Sequence, residues 1–311
     1  MKLGFLTGAL GDIPLKEKIE WAHQSKFDCI EISCWPKMNS RDYSASDIDV
    51  DHFTQEDADE LNEFLKEKNM FISSLAYYDN HLHEDLNLRK SYHDHLKKVI
   101  NAASMLGVEL VGTFVGRHQG LSIVENFQEF KVVFSDILDF AQEKNVKIII
   151  ENCPMPVWHE DGLAGTISYS PELWDEMFKI FPHKHFGLNF DPSHLVWLQI
   201  DYIKALKDYK ERILHIHAKD TKMIRENLNR YGIYGKQLHK MDPFDLGWVE
   251  AKLPGNGDVD WNNFFKTLKE MDYKGVVSIE HEDPSYEGNS ELVKEGLLIG
   301  KENLERAISR Q

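Results

Sequence analysis

Short apolar, β-branched runs alternate along the chain with longer segments whose apolar residues recur at the helical period. The pattern predicts eight strands, at residues 3–7, 29–33, 71–75, 110–114, 146–151, 186–191, 213–217 and 276–280. Helices are expected between them, at 55–68, 87–106, 125–144, 171–180 and 261–271. Thr54 with Asp57 reads as a capping box, Asp260 as the N-cap of the helix opening at Trp261, and Gly275 as its stop. Strand and helix alternating in this way predict an α/β fold, a single (β/α)₈ TIM barrel over residues 1–311. The alternative, an open doubly wound sheet, needs a Gly-rich phosphate turn after an early strand. Gly8-Ala9-Leu10-Gly11 lacks that fingerprint.

One segment interrupts the rhythm. Residues 221–257, between the seventh and eighth strands, are rich in polar, aromatic and glycine residues. In a barrel such an insertion emerges on the C-terminal face, where chemistry is placed, and is expected to form a substrate loop or lid. A surface excursion or an oligomer contact is the competing role.

Composition narrows the function classes. With 36 Lys+Arg against 52 Asp+Glu, the formal charge of −16 argues against a phosphate-neutralising surface and hence against a nucleic-acid partner. No apolar run approaches the roughly 20 residues of a membrane span, and the N-terminal run meets Asp12 and Pro14 too soon for a signal peptide. Cys29, Cys34 and Cys153 have no CxxC spacing, which fits a reducing, cytoplasmic setting. Association into a homo-oligomer or hetero-oligomer is left open.

Barrel strands alternate their side chains between lumen and helix layer, so polar residues at their C-terminal ends converge. The fifth strand ends in Glu151. On the sixth, Phe186, Leu188 and Phe190 share one face and leave Asp191 on the other. On the seventh, Leu214, Ile216 and Ala218 face out while His215, His217 and Lys219 face in. On the eighth, Val277 and Ile279 face out while Ser278 and Glu280 face in. Glu151, Asp191, His217 and Glu280 are therefore expected at one mouth. Three carboxylates so placed beside an imidazole repel one another if all are ionised and no cation joins them. The oxygen-rich set suits Mn²⁺, with Mg²⁺ or Co²⁺ as alternatives, better than a thiolate zinc site. His194 is close enough in sequence to reach the substrate side, and His215 is placed deeper in the lumen.

The sequence resembles the xylose-isomerase-like TIM barrels, the superfamily of sugar (phosphate) isomerases and epimerases that also includes an AP endonuclease branch. The motifs are Ile150-Glu151-Asn152, Leu188-Asn189-Phe190-Asp191-Pro192-Ser193-His194, His215-Ile216-His217-Ala218-Lys219-Asp220, the Pro254–Trp261 turn and Ser278-Ile279-Glu280-His281-Glu282. The resemblance implies that Glu151, Asp191, His217 and Glu280 bind one divalent metal, often Mn²⁺. It further implies that Glu151 and Glu280 are catalytic, exchanging protons from opposite faces with the carbon beside a keto-sugar carbonyl. Val157 and Met223 stand where ketose 3-epimerases have a glutamate and an arginine. Arg225 is the candidate replacement, with His194, Lys219 and Trp248 as further substrate-binding residues. Trp158, His159, Tyr231 and Tyr234 are candidate aromatic or polar contacts.

The expected activity is a metal-dependent sugar isomerase or epimerase acting on a small-molecule keto-sugar. The alternative is a lyase that uses the same enolisation to dehydrate a keto-inositol or cleave a 3-keto-glycoside. A metallonuclease would draw further ligands from His81, His83 and His118, and the acidic charge argues against it.

Overall fold

The computed structural model describes residues 1–11, 13–36, 46–158, 164–241 and 245–311; His159 lies outside them. Ten strands run in chain order: β1 (Lys2–Phe5), β2 (Cys29–Ser33), β3 (Phe71–Ala76), β4 (Leu110–Thr113), β5 (Lys147–Glu151), β6 (Phe186–Phe190), β7 (Ile213–Ala218), β8 (Asp220–Met223), β9 (Val249–Lys252) and β10 (Val276–Ile279). All but β8 and β9 form one parallel sheet in the order β1-β10-β7-β6-β5-β4-β3-β2. Its edges meet through a Leu6–Glu31 bridge and an Asp28 N–H donated to Leu3 O at 2.9 Å, so the sheet curls into a TIM barrel. Each of the eight expected strands is present.

Among the described residues ten α-helices accompany them: α1 (Leu15–Gln24), α2 (Gln55–Glu67), α3 (Leu86–Leu106), α4 (Ile123–Glu143), α5 (Pro171–Ile180), α6 (Pro192–Trp197), α7 (Tyr202–Asp208), α8 (Arg225–Tyr231), α9 (Trp261–Glu270) and α10 (Ser290–Ser309). Their apolar stripes cover the outward face of the barrel. Phe130 and Phe134 of α4 meet Phe186 of β6 at centroid distances of 6.0 and 6.1 Å, and Trp174 of α5 meets Phe190 at 6.2 Å. These are the outward residues that the alternation of β6 predicts. No described helix is long and apolar enough to cross a membrane.

The Thr54–Asp57 capping box is formed, with both reciprocal bonds present. Thr54→Ala is expected to destabilise the fold by about 1 kcal/mol, read from chemical denaturation. Asp260 caps α9 by accepting from Asn263 N at 3.0 Å. Gly275 is not the stop expected for that helix: α9 ends at Glu270, and the left-handed residue after it is Asp272, with φ 58°.

The insertion holds more regular structure than its composition suggests. β8 and β9 pair antiparallel, with Thr221 opposite Ala251, and α8 lies between them in sequence.

Candidate functional site

Four neighbouring strands deliver the expected residues to the C-terminal mouth of the barrel. Glu151 ends β5, Asp191 follows β6, His217 lies on β7 and Glu280 follows β10. His217 Nδ1 lies 2.9 Å from Glu151 Oε1 and 3.3 Å from Glu280 Oε2, and ligand atoms of these three residues all fall within 4.8 Å of one another. Asp191 Oδ1 accepts from Ser193 N at 2.7 Å and caps α6. Its Oδ2 is buried without a hydrogen-bond partner. Asp191 thus caps a helix and also keeps an oxygen for the cluster.

Asn152 fixes that strand end, donating to Asp191 O and accepting from Asp191 N, both at 2.8 Å. His194, on the first turn of α6, brings Nε2 to 3.2 Å from Asp191 Oδ2 without hydrogen-bond geometry, so both ring nitrogens are unsatisfied. Lys219 Nζ donates to Glu280 Oε2 at 2.7 Å and lies 3.1 Å from Glu282 and 3.4 Å from Asp191.

Glu31 of β2 belongs to the same constellation and was missed by the sequence reading. Its Oε2 lies 2.9 Å from His217 Nε2, on the ring edge away from Glu151. Tyr78 donates to the other Glu31 oxygen at 3.2 Å and receives the Asn189 amide at 2.8 Å. Gly112 of β4 leaves room for that phenol, since a Cβ there would run into the Tyr78 hydroxyl. The signal was available: Ile30 and Ile32 face outward, so alternation turns Glu31 into the lumen. His215 is held deeper, between Asn189 Oδ1 at 2.9 Å and Ser73 Oγ at 3.2 Å.

Burial and charge set the protonation of the cluster. Burial together with the Glu280 charge pushes Glu151 up to about 8, and burial raises Asp191 to about 6 against the pull of Lys219. Burial opposes ionisation of Glu280 too, but Lys219 and His217 hold it well below the carboxylate range. Glu31 is likewise buried, and His217 and His215 bring it down to about 2. His217 resists burial and keeps its proton because Glu31 and Glu280 face it. Without an added cation, protons on His217 and Glu151 thus relieve the carboxylate repulsion. A divalent cation could replace those protons, and the Asp191 oxygen left without a hydrogen bond could serve as a further ligand.

Other candidates are placed elsewhere. Arg225 is exposed on the first turn of α8, where its charge acts on Asp258 rather than in the cluster. Trp248 is buried, with its ring 6.5 Å from Trp197 of α6, so it braces the insertion against the helix carrying His194. Tyr234 is exposed. His81 shares a 2.8 Å hydrogen bond with Thr113, and His118 Nδ1 accepts from Gly120 N at 3.1 Å. Neither these histidines nor His83 joins a metal-competent group among the described residues. Cys29, Cys34 and Cys153 are free and buried.

Burial, reinforced by His93, holds His81 neutral well below its ordinary value of 6.5. A depressed imidazole stabilises the fold above the unfolded value and loses that contribution as pH falls. Relative to His81→Gln, the native protein is therefore expected to lose about 1 kcal/mol of stability between roughly pH 6.5 and 5.5, measured by denaturation at each pH.

A family model described as a xylose isomerase-like TIM barrel matches residues 19–302. The chain is 28% identical to the uncharacterized protein YfiH of Bacillus subtilis (strain 168), across 100% of both. It is 29% identical over 147 residues to an inosose dehydratase of Clostridium perfringens, a match spanning 47% of this chain and 44% of that enzyme. Among solved structures, an IolI protein with a bound zinc atom superposes with a TM-score of 0.72 at 20% identity, covering 100% of this chain and 99% of that one.

Proposed function

Since the chain belongs to the xylose isomerase-like TIM-barrel family, we propose that it is a divalent-metal-dependent enzyme that removes a proton beside the carbonyl of a keto-sugar, and that it isomerises or epimerises that sugar. The observation that carries this reading is the convergence, from four neighbouring strands, of Glu151, His217 and Glu280 within 4.8 Å of one another, with Asp191 joined to Glu280 through Lys219. These four would hold the ion, Mn²⁺ by the chemistry of the set, with Mg²⁺ or Co²⁺ as substitutes. When bound, the ion polarises the substrate carbonyl and acidifies the adjacent C–H bond. Glu151 and Glu280 approach one space from different strands, so one removes the proton and the other returns it. His194 and Lys219 are placed to hold substrate oxygens, and Trp248 keeps the α6 side of the mouth in place. Residues 221–257 act as the rim on that side, and Arg225 reaches substrate only if this segment moves.

A second reading is dehydration through the same first step. Lys219 favours it, because a buried ammonium 2.7 Å from Glu280 can deliver a proton to a departing hydroxyl. The partial match to an inosose dehydratase points the same way. Incubating the metal-loaded protein in deuterated water with inososes, ketohexoses and 3-keto-glucosides separates the outcomes. Deuterium at the α-carbon of an epimer supports the first reading, and an unsaturated product supports the second. Chelator treatment is expected to abolish either and metal addition to restore it. No exchange across the panel with metal bound would sink both.

A further inference from the structure

We infer that the barrel mouth carries a second carbohydrate subsite beside the carboxylate cluster, shaped for a neutral polyhydroxylated ring. The substrate is then a glycoside rather than a free monosaccharide, an inference that rests on the keto-sugar reading above. A cavity of about 270 Å³ opens between the segments that follow β3 and β4, with Trp158 on its wall. That is the scale of a sugar ring, far above the roughly 30 Å³ share of one water.

Two of its lining residues, Arg117 and Gln119, carry buried polar atoms without a hydrogen bond. Both the oxygen and the nitrogen of the Gln119 amide are buried without a hydrogen bond among the described residues, as is Arg117 Nε. A buried group left unsatisfied costs about 1–3 kcal/mol, and an amide offers one acceptor and two donors, a match for vicinal hydroxyls. Arg117 is held in place, donating from Nη1 to Ala164 O at 3.0 Å and from its backbone N to Asn80 Oδ1 at 2.9 Å. Asp79 and Glu84 set two carboxylates against its single positive charge, so the cavity does not select a phosphate. Trp158 supplies an apolar ring against which the C–H face of a sugar can lie.

A relay of aromatic contacts runs from the cavity to the cluster. Trp158 meets Phe114 at 5.5 Å, Phe114 meets Tyr78 at 4.9 Å, and the Tyr78 hydroxyl lies 3.5 Å from His217 Nε2. A two-ring ligand with its reacting ring at the cluster would place its second ring in the cavity at the far end of this relay.

Ligand-observed NMR titrations of the metal-loaded full chain with glucose, glucose 6-phosphate, cellobiose and maltose test this. The tighter-binding disaccharide is expected to bind at least tenfold more strongly than glucose. Gln119→Ala and Trp158→Ala, checked for unchanged metal content and melting temperature, should each remove most of that advantage. Equal affinity for glucose and both disaccharides, preference for glucose 6-phosphate, or an advantage that survives both substitutions would overturn the inference. A disaccharide preference without proton exchange on any keto-sugar would sink the enzymatic reading and leave the subsite standing.

Discussion

Replacing Glu280 by glutamine is expected to slow metal-dependent exchange of a keto-sugar α-proton by about 10³-fold, in line with the loss of a positioned general base. Glutamine keeps the size of the side chain and removes the carboxylate. The amide oxygen can still accept from Lys219 Nζ, but the charge 2.7 Å from it is gone, leaving the carboxylates of Glu282 and Asp191 at 3.1 and 3.4 Å. Glu151→Gln should act in the same direction, because both carboxylates lie within 3.3 Å of His217 Nδ1. Exchange followed by proton NMR, with metal content measured on the same samples, separates the roles. A variant that keeps its metal and loses exchange identifies the base; one that loses both identifies a ligand that the site requires. A fully active Glu280→Gln protein would remove this residue from the chemistry.

The second large effect is expected at Glu31. A histidine presented to a metal through Nδ1 is oriented by whatever receives its Nε2–H, and loss of such a partner typically weakens metal affinity by about 10–100-fold. Here that partner is Glu31 Oε2 at 2.9 Å, and Tyr78 holds the other carboxylate oxygen. Glu31→Ala should therefore weaken Mn²⁺ binding by about that factor in competition with a chromogenic chelator, with Glu31→Gln intermediate. Affinity unchanged in both variants would mean that His217 is oriented without Glu31.

The barrel was legible in the sequence because alternation and helical period depend only on near neighbours. β6 shows this: Phe186, Leu188 and Phe190 face the helices as their spacing requires, and Asp191 follows on the inner side. The four convergent residues were legible for the same reason. Glu31 was not assigned, although its own strand points it inward, because its partnership with His217 joins residues 186 positions apart across the lumen. The β8–β9 pair was missed because its strands, Asp220–Met223 and Val249–Lys252, are rich in polar residues and partly exposed, so no apolar run marks them. Arg225 and Trp248 were assigned by type and position in the insertion, and neither reveals which way that segment folds. The structure exposes Arg225 and buries Trp248.

Asp220 fastens both ends of that insertion. Its carboxylate receives the backbone N–H groups of Thr221, Gly255 and Val259 and the indole N–H of Trp261, all within 3.0 Å. The closure of the excursion is thus fixed at its base by one side chain, and the cost of lengthening the loop above that point grows only logarithmically. Outside Trp248, which packs against α6, the segment between β8 and β9 can therefore lengthen with little cost to the barrel below. Length changes there leave the strands that carry the carboxylate cluster as they are.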